Sequence, residues 1–118
     1  MKNFTETVHY QEMLDAITRH FKHAVEKHPC FCHNKLHPLV NFENVTENLM
    51  FLRKHLDSQN KSRHIQWDTV LQCEILEIQE AIATGDDNHA IEECCDAIAV
   101  LMRVICVLKG YQQLGNPE

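Results

Sequence analysis

The sequence predicts an all-α domain, and three observations lead to this fold class. Only 3 Gly and 3 Pro occur in 118 residues, too few turn residues for a β-sandwich of this size. Apolar residues recur at three- and four-residue steps, which is the spacing of one face of an amphipathic helix. Hydrophobic residues make up 44% of the chain and charged residues 24%, as in folded proteins rather than disordered ones. This length suits one domain over residues 1–118.

The first half of the chain carries two amphipathic segments. Apolar residues spaced three or four apart predict a first helix over residues 4–27, which ends before the following proline because proline disfavours helical geometry in the residue before it. Residues 28–42 are predicted to form a loop. A second helix is expected after Asn44 as its cap, ending near Asp57, and residues 58–63 are predicted to be a polar connection.

The second half of the chain is more apolar and carries two further helices. A third helix is predicted from about residue 64 to residue 84, and a fourth from about residue 88 to residue 109. The run Gly85-Asp86-Asp87-Asn88 predicts the turn between them, because these residue types favour turns. Gly110 is expected just beyond the last helix, where glycine commonly ends helices.

The fourth predicted helix is apolar on nearly every side. A helix that is hydrophobic all round must be buried all round, and one small four-helix bundle cannot cover it completely. We therefore expect homo-oligomerisation, as a homodimer or a homotetramer, to complete the bundle. The residues expected to need this cover are Val100, Leu101, Val104, Ile105 and Leu108.

The net charge and the amino-acid composition exclude several classes of protein function. Eleven Lys and Arg against seventeen Asp and Glu give a net charge of −6, which argues against nonspecific nucleic-acid binding and favours cations as partners. No apolar run approaches the roughly 20 residues that a membrane span needs. The N-terminal residues lack a secretory pattern, and the cysteines include an adjacent pair that suits a disulfide framework poorly. A cytoplasmic protein with reduced thiols is expected.

Both helices of the second half carry acidic residues three positions apart, a spacing that places them on one helix face. These residues are Glu74, Glu77 and Glu80 on the third helix and Glu92, Glu93 and Asp96 on the fourth. If the two helices pack antiparallel, the carboxylates repel one another unless divalent cations neutralise them, and hard oxygen ligands suit Mg or Mn. Solvated surface faces are the alternative, but the apolar neighbours of these charges favour a metal site.

The same segment resembles a known enzyme family. Residues 74–82, a short acidic turn and residues 92–98 are similar in order and spacing to the ExxE and ExxD signature of the all-α nucleoside triphosphate pyrophosphohydrolases, the MazG-like superfamily. The apolar stretch after the last acidic residue also resembles that family. The resemblance implies a four-helix bundle-like, MazG-type domain.

The resemblance also implies a reaction and its residues. Members of the family use Mg to cleave a nucleoside triphosphate between the α and β phosphates, releasing a monophosphate and pyrophosphate, and short members suggest nucleotide-pool sanitising. The implied metal ligands are Glu74, Glu77, Glu93 and Asp96. Glu74 and Glu77 are the candidates for the general base that takes the proton of the attacking water. Glu77 with Glu80, or Glu92 with Asp96, are alternative pairings.

Two residues outside the acidic pairs are predicted to contact the substrate. Arg103 lies seven residues after Asp96, nearly two helical turns, so it is expected on the same face, where it binds phosphate or forms an ion pair at a subunit interface. Trp67 lies seven residues before Glu74 and shares its face. It is expected either to stack on a nucleobase or to anchor the core.

The loop before the second helix contains residue types that bind zinc. These residues are Cys30, Cys32, His33 and His37. Their spacing is not that of a zinc finger, so a polar or nucleotide-contacting loop is the alternative to a zinc site.

Two other function classes compete with the enzyme. A helical interaction module would bind a partner through its acidic faces and catalyse nothing. A ferritin-like di-iron bundle needs a Glu-x-x-His pair on each of two helices, and the predicted helices supply one such pair, Glu6 and His9.

Overall fold

The computed structural model describes residues 3–112, and this part of the chain is helical with no strand. The helices are α1 (Val8–Lys27), α2 (Phe42–Ser62), α3 (Trp67–Ala83) and α4 (Asp87–Lys109), preceded by a short 3-10 helix (Phe4–Glu6). The all-α fold class is therefore confirmed for the described residues. None of these helices is both long and apolar enough to cross a lipid bilayer.

The chain divides into two compact units. One comprises the described parts of Met1–Phe31 and Met102–Glu118, and the other comprises Cys32–Leu101. Both acidic pairs lie in the second unit, as do α2 and α3. The sequence predicts that residues 1–118 form one domain. That would require the two units to pack together, so one domain stays a prediction.

Helices α2 and α3 pack as an antiparallel hairpin. The buried face of α2 contains Val45 and Leu49, the most fully buried large side chains of the described chain. Near the start of α2, Thr46 Oγ1 donates a hydrogen bond to Glu80 Oε2 at 3.2 Å, near the end of α3. This pairing fixes which residues of α2 face the carboxylates of α3.

The predicted end of the second helix was wrong. Helix α2 continues through the predicted polar connection to Ser62, because Gln59 is buried there with its amide satisfied. Gln59 Nε2 donates to Gln66 Oε1 at 2.9 Å and to Thr69 Oγ1 at 3.2 Å. Gln59 Oε1 accepts from the backbone N–H of Gln66 at 3.0 Å. A buried glutamine with three hydrogen bonds locks the α2–α3 turn, and α3 begins only at Trp67.

Two helix starts also differ from the predictions. Helix α2 begins at Phe42 rather than after Asn44, because the side chain of Asn41 accepts a hydrogen bond from the Asn44 N–H at 2.9 Å and caps the first turn. The predicted first helix is interrupted at Thr7, which has extended backbone angles and caps α1 by accepting from the Tyr10 N–H. Both caps are local hydrogen bonds of polar side chains. The predicted helix starts rested on hydrophobic periodicity, which does not reveal such bonds.

Three helices end with a residue in the left-handed conformation. Gly85 follows α3 with φ 77° and Gly110 follows α4 with φ 74°, as the sequence predicted for Gly110. Arg63 has the same role after α2 with φ 61°. In each case the next residue donates its N–H back into the last turn, as Asp86 does to the Ala81 carbonyl at 2.9 Å. The tight turn at Gly85 brings the start of α4 directly after the end of α3.

Candidate metal centre

The candidate centre is built on α3 and on the first half of α4. Glu74 and Glu77 stand one turn apart on α3, so both project from one face of that helix. Helix α4 is started by Asp86, whose carboxylate accepts from the His89 N–H at 3.2 Å. Glu93 lies between one and two turns further along α4.

Three carboxylates converge at this site. One side-chain oxygen from each of Glu74, Glu77 and Glu93 lies within 4.8 Å of the others. Two ligands on opposite sides of a divalent cation lie about 4 to 5 Å apart, so this spacing is within reach of one shared ion. Glu74 and Glu77 are half-buried, whereas Glu93 is only 8% exposed.

Two oxygens of the cluster lack a hydrogen-bond donor. Glu74 Oε2 and Glu93 Oε2 are inaccessible to solvent and accept no hydrogen bond in the described structure. Buried carboxylate oxygens are ordinarily paired, because desolvating a charge without compensation is costly. A proton shared among the carboxylates or a bound cation would supply the missing partner, so this donor set fits a hard divalent cation.

Burial is the main cause that raises the pKa of the two α3 carboxyls. It raises the pKa of Glu74 above its ordinary value of 4.5, with a further increase from the charge of Glu77 and a partial decrease from Glu93. Burial likewise raises the pKa of Glu77, where the Arg53 guanidinium provides a partial offset. Both groups therefore hold a proton more tightly than an exposed glutamate does.

The pKa of Glu93 is raised as well. The Glu77 carboxyl, which can share a proton with Glu93, is the largest single influence and lowers the pKa of Glu93, but proton sharing with Glu74, burial and the charges of Glu74 and Asp96 together outweigh it. His89 Nε2 lies 3.7 Å from Glu93 Oε1, which is an ion pair only when the imidazole is protonated. The three carboxyls thus share one electrostatic environment that disfavours full ionisation.

Arg53 of α2 touches the edge of this cluster. Its Nη2 donates a hydrogen bond to Glu77 Oε1 at 3.2 Å. The buried thiol of Cys73 lies beside the same group, and burial followed by the charges of Glu77 and Glu74 raises its pKa, partly offset by Arg53. Cys73 is therefore a neutral, buried neighbour of the cluster rather than a reactive thiol.

The other predicted acidic residues are placed differently. Asp96 is exposed and lies outside the group whose oxygens converge, although its charge helps to raise the pKa of Glu74 and of Glu93. Glu80 accepts the hydrogen bond from Thr46, and Glu92 is exposed. Among the described residues, the geometry therefore favours pairing Glu74 and Glu77 with Glu93, and metal binding by Asp96 stays a prediction.

The two predicted substrate contacts lie in different parts of the chain. Trp67 is the first residue of α3 and is 53% exposed, so its side chain is accessible to a stacking partner. Arg103 is an exposed residue in the second half of α4, in the other compact unit. Nucleobase stacking by Trp67 and phosphate binding by Arg103 stay predictions.

The predicted zinc ligands are not gathered around one point in the described chain. Cys32 Sγ donates to Asn34 Oδ1 at 3.3 Å, and His37 Nδ1 accepts from the Leu39 N–H at 3.0 Å, so both make local contacts within their loop. The Glu-x-x-His pair of the di-iron alternative belongs to the other compact unit. Its histidine, His9, stacks on Tyr111 with ring centroids 4.2 Å apart.

Arg53 is the site neighbour that the sequence analysis missed. Val45, Leu49 and Arg53 follow at four-residue steps along α2, so they occupy one ridge of the helix. The first two are fully buried, and the third is the charged residue next to the carboxylates. A basic residue that continues a buried apolar ridge opposite an acidic helix is the sequence signal that would have identified it.

The fold and the site together define an all-α protein that carries a three-carboxylate candidate metal centre between consecutive helices. Comparison with protein-family models, with curated proteins and with solved structures finds no significant match.

Proposed function

We propose that this protein is a Mg²⁺-dependent nucleoside triphosphate pyrophosphohydrolase of the MazG-like type. One observation carries the proposal: Glu74, Glu77 and Glu93 converge from consecutive helices, and buried oxygens of two of them lack a donor. The order and spacing of these acidic residues, which resemble those of that superfamily, support the nucleotide substrate. Nucleotide-pool sanitising is the cellular role that follows.

The three carboxylates hold the cation in this proposal, with Mg²⁺ preferred and Mn²⁺ as a substitute. Bound there, the cation supplies Lewis acidity toward phosphate oxygens and activates water for attack. Glu74 and Glu77 remain the two candidates for the general base that takes the proton of the attacking water.

The remaining parts of the proposal concern substrate contacts and assembly. Trp67 stacks on the base, Arg103 binds a phosphate and Asp96 adds a fourth acidic ligand. The chain assembles as a homodimer or homotetramer, because Leu101 and Leu108 of α4 are exposed apolar residues.

Release of pyrophosphate tests the proposed activity. The protein is incubated with each deoxy- and ribonucleoside triphosphate and Mg²⁺, and pyrophosphate is measured with and without EDTA. We expect turnover of at least one nucleotide, and Glu93→Gln should reduce it by about 100-fold or more because a metal ligand is lost. Glu92→Gln is the matched control, since it makes the same change at the adjacent exposed residue and should leave turnover unaltered.

Other outcomes separate the competing functions. Mn²⁺ binding without turnover of any nucleotide would favour a helical module that binds metal and catalyses nothing. A coloured, iron-containing protein would favour the di-iron bundle. Full activity in Glu93→Gln would show that Glu93 is not a ligand of the catalytic metal.

A further inference from the structure

Arg53 stands where the candidate centre meets solvent. Its Nη2 contacts Glu77 Oε1 at 3.2 Å, and its side chain is 52% exposed, whereas that of Glu77 is 19% exposed. The guanidinium therefore has one side on the cluster and the other accessible to a solute. An arginine carries five N–H donors in a planar fork, so the hydrogen bond to Glu77 leaves donors for a second acceptor.

The position of Arg53 is fixed by the α2–α3 hairpin. Leu49 precedes it by one turn and is fully buried, in a helix that packs against α3. The hydrogen bonds of Gln59 lock the register at the other side of Arg53. The backbone of Arg53 is thus held on both sides by buried contacts, and the guanidinium is presented to Glu77 by a rigid element.

Neither a contribution to folding stability nor a contribution to metal binding explains why a guanidinium lies beside Glu77. A half-exposed ion pair contributes little to folding, because water screens it and the side chain loses freedom. A fixed positive charge beside a cation site also repels the cation. With all three glutamates ionised, one divalent ion and one guanidinium together cancel their charge, and a polyphosphate is then no longer repelled by the site.

We propose that Arg53 is a phosphate-binding residue, which holds Glu77 with one N–H and donates others to the phosphates of a metal-bound nucleotide. This inference rests on the proposed pyrophosphohydrolase function. Charge-assisted, forked hydrogen bonds from arginine are well suited to phosphate oxygens.

Calorimetric titration of the full chain with Mn²⁺ alone, and then with inorganic pyrophosphate in the presence of Mn²⁺, tests this role. Pyrophosphate is used because the diphosphate unit is common to all nucleoside triphosphates, so base specificity does not matter. In Arg53→Gln we expect pyrophosphate affinity to fall by about 10-fold or more, as for loss of a hydrogen bond to a charged group. Mn²⁺ affinity should stay equal or rise, because a competing positive charge has gone.

Lys54→Gln is the matched control, since it removes the same charge from the adjacent exposed position of α2 and should leave both affinities unchanged. Unaltered pyrophosphate affinity in Arg53→Gln would overturn the proposal while leaving the metal centre intact. A parallel loss of Mn²⁺ affinity would also overturn it, because Arg53 would then only position Glu77. Absence of Mn²⁺ binding in the wild type would instead contradict the proposed function itself.

Discussion

At the scale of single residues, Glu93 is a carboxylate in an energetically costly environment. It is 8% exposed, its Oε2 accepts no hydrogen bond, and two further carboxylates lie within 4.8 Å. Removing one partner of a buried charged group, or never providing one, destabilises a fold. The metal-free protein therefore carries an electrostatic strain that a cation bound at the proposed centre would relieve.

Replacing the charge of Glu93 should stabilise the metal-free protein. Glu93→Gln keeps the side-chain shape, removes one of the crowded negative charges and adds N–H donors for the neighbouring carboxylates. We expect the free energy of unfolding in EDTA to rise by about 1 kcal/mol, as for satisfying buried polar groups. Urea unfolding measures it, with Glu92→Gln as the control that changes little. A destabilised Glu93→Gln protein would show that the wild-type cluster is already satisfied.

The raised carboxyl pKa values also set a pH dependence. A carboxyl whose pKa is higher in the folded state than its ordinary 4.5 binds its proton more tightly when folded, so it stabilises the fold below pH 4.5. This contribution is lost as the pH rises through the raised values. In EDTA, the stability advantage of Glu93→Gln over wild type should therefore grow as the pH increases above 4.5. Mn²⁺ should reverse the advantage, and a pH-independent difference would contradict these pKa shifts.

At the scale of elements, the α2–α3 hairpin carries the site. Its turn is held by Gln59, whose amide makes three hydrogen bonds, to Gln66 twice and to Thr69 once. Its register presents Arg53 to Glu77 and Thr46 to Glu80. A shift of one residue along α2 would rotate these side chains by about 100° around the helix axis and break both contacts.

Loss of the Gln59 amide should therefore weaken the fold and the site together. Gln59→Ala leaves the Gln66 N–H and the hydroxyl of the buried Thr69 without this partner, which costs about 1 to 3 kcal/mol. Asn60→Ala, at the adjacent exposed position, is the control and should cost far less. Urea unfolding at neutral pH compares the two variants. Equal stabilities would mean that water replaces the amide at no cost.

The sequence predicted the elements better than their ends. The apolar periodicity of α3 and α4 and the glycines after them indicated both helices and the tight turn that joins their carboxylates. The end of α2 was missed because Gln59 is a polar residue in a buried position, and its burial depends on partners across the turn. Tertiary hydrogen bonds of this kind leave no periodic signal in hydropathy.

The same distinction applies to the site. Glu74, Glu77 and Glu93 were predictable because i, i+3 spacing and a short turn are local features of the chain. Arg53 was not predicted, because its contact with Glu77 depends on how α2 packs against α3. Long-range register is what the sequence pattern alone does not specify.

The left-handed end of α2 provides a further test at this scale. Arg63 adopts φ 61°, where the Cβ of any side chain crowds the backbone and glycine, which has no Cβ, does not. Arg63→Gly should raise the free energy of unfolding by about 0.5 to 1 kcal/mol, because relief of the strain exceeds the added freedom of the unfolded chain. Thermal unfolding measures the change. A lower midpoint would indicate that the Arg63 side chain makes a stabilising contact.

At the scale of the whole molecule, α4 leaves apolar side chains uncovered. Leu101 is 44% exposed and Leu108 is 80% exposed, although both belong to the most apolar segment of the sequence. Val107 between them and Ile98 before them are exposed as well. Single exposed leucines are ordinary, but a run along one helix is typical of an interface between subunits.

The protein should therefore be a homo-oligomer, with a mass of twice or four times 13.8 kDa by light scattering at micromolar concentration. Leu108→Glu places a charge where the predicted interface would need an apolar contact, so we expect it to lower the mass or to cause aggregation. Lys109→Glu, next to it and exposed, is the control and should keep the wild-type mass. A wild-type mass of 13.8 kDa would contradict the prediction, because the exposed face of α4 would then be stable in water.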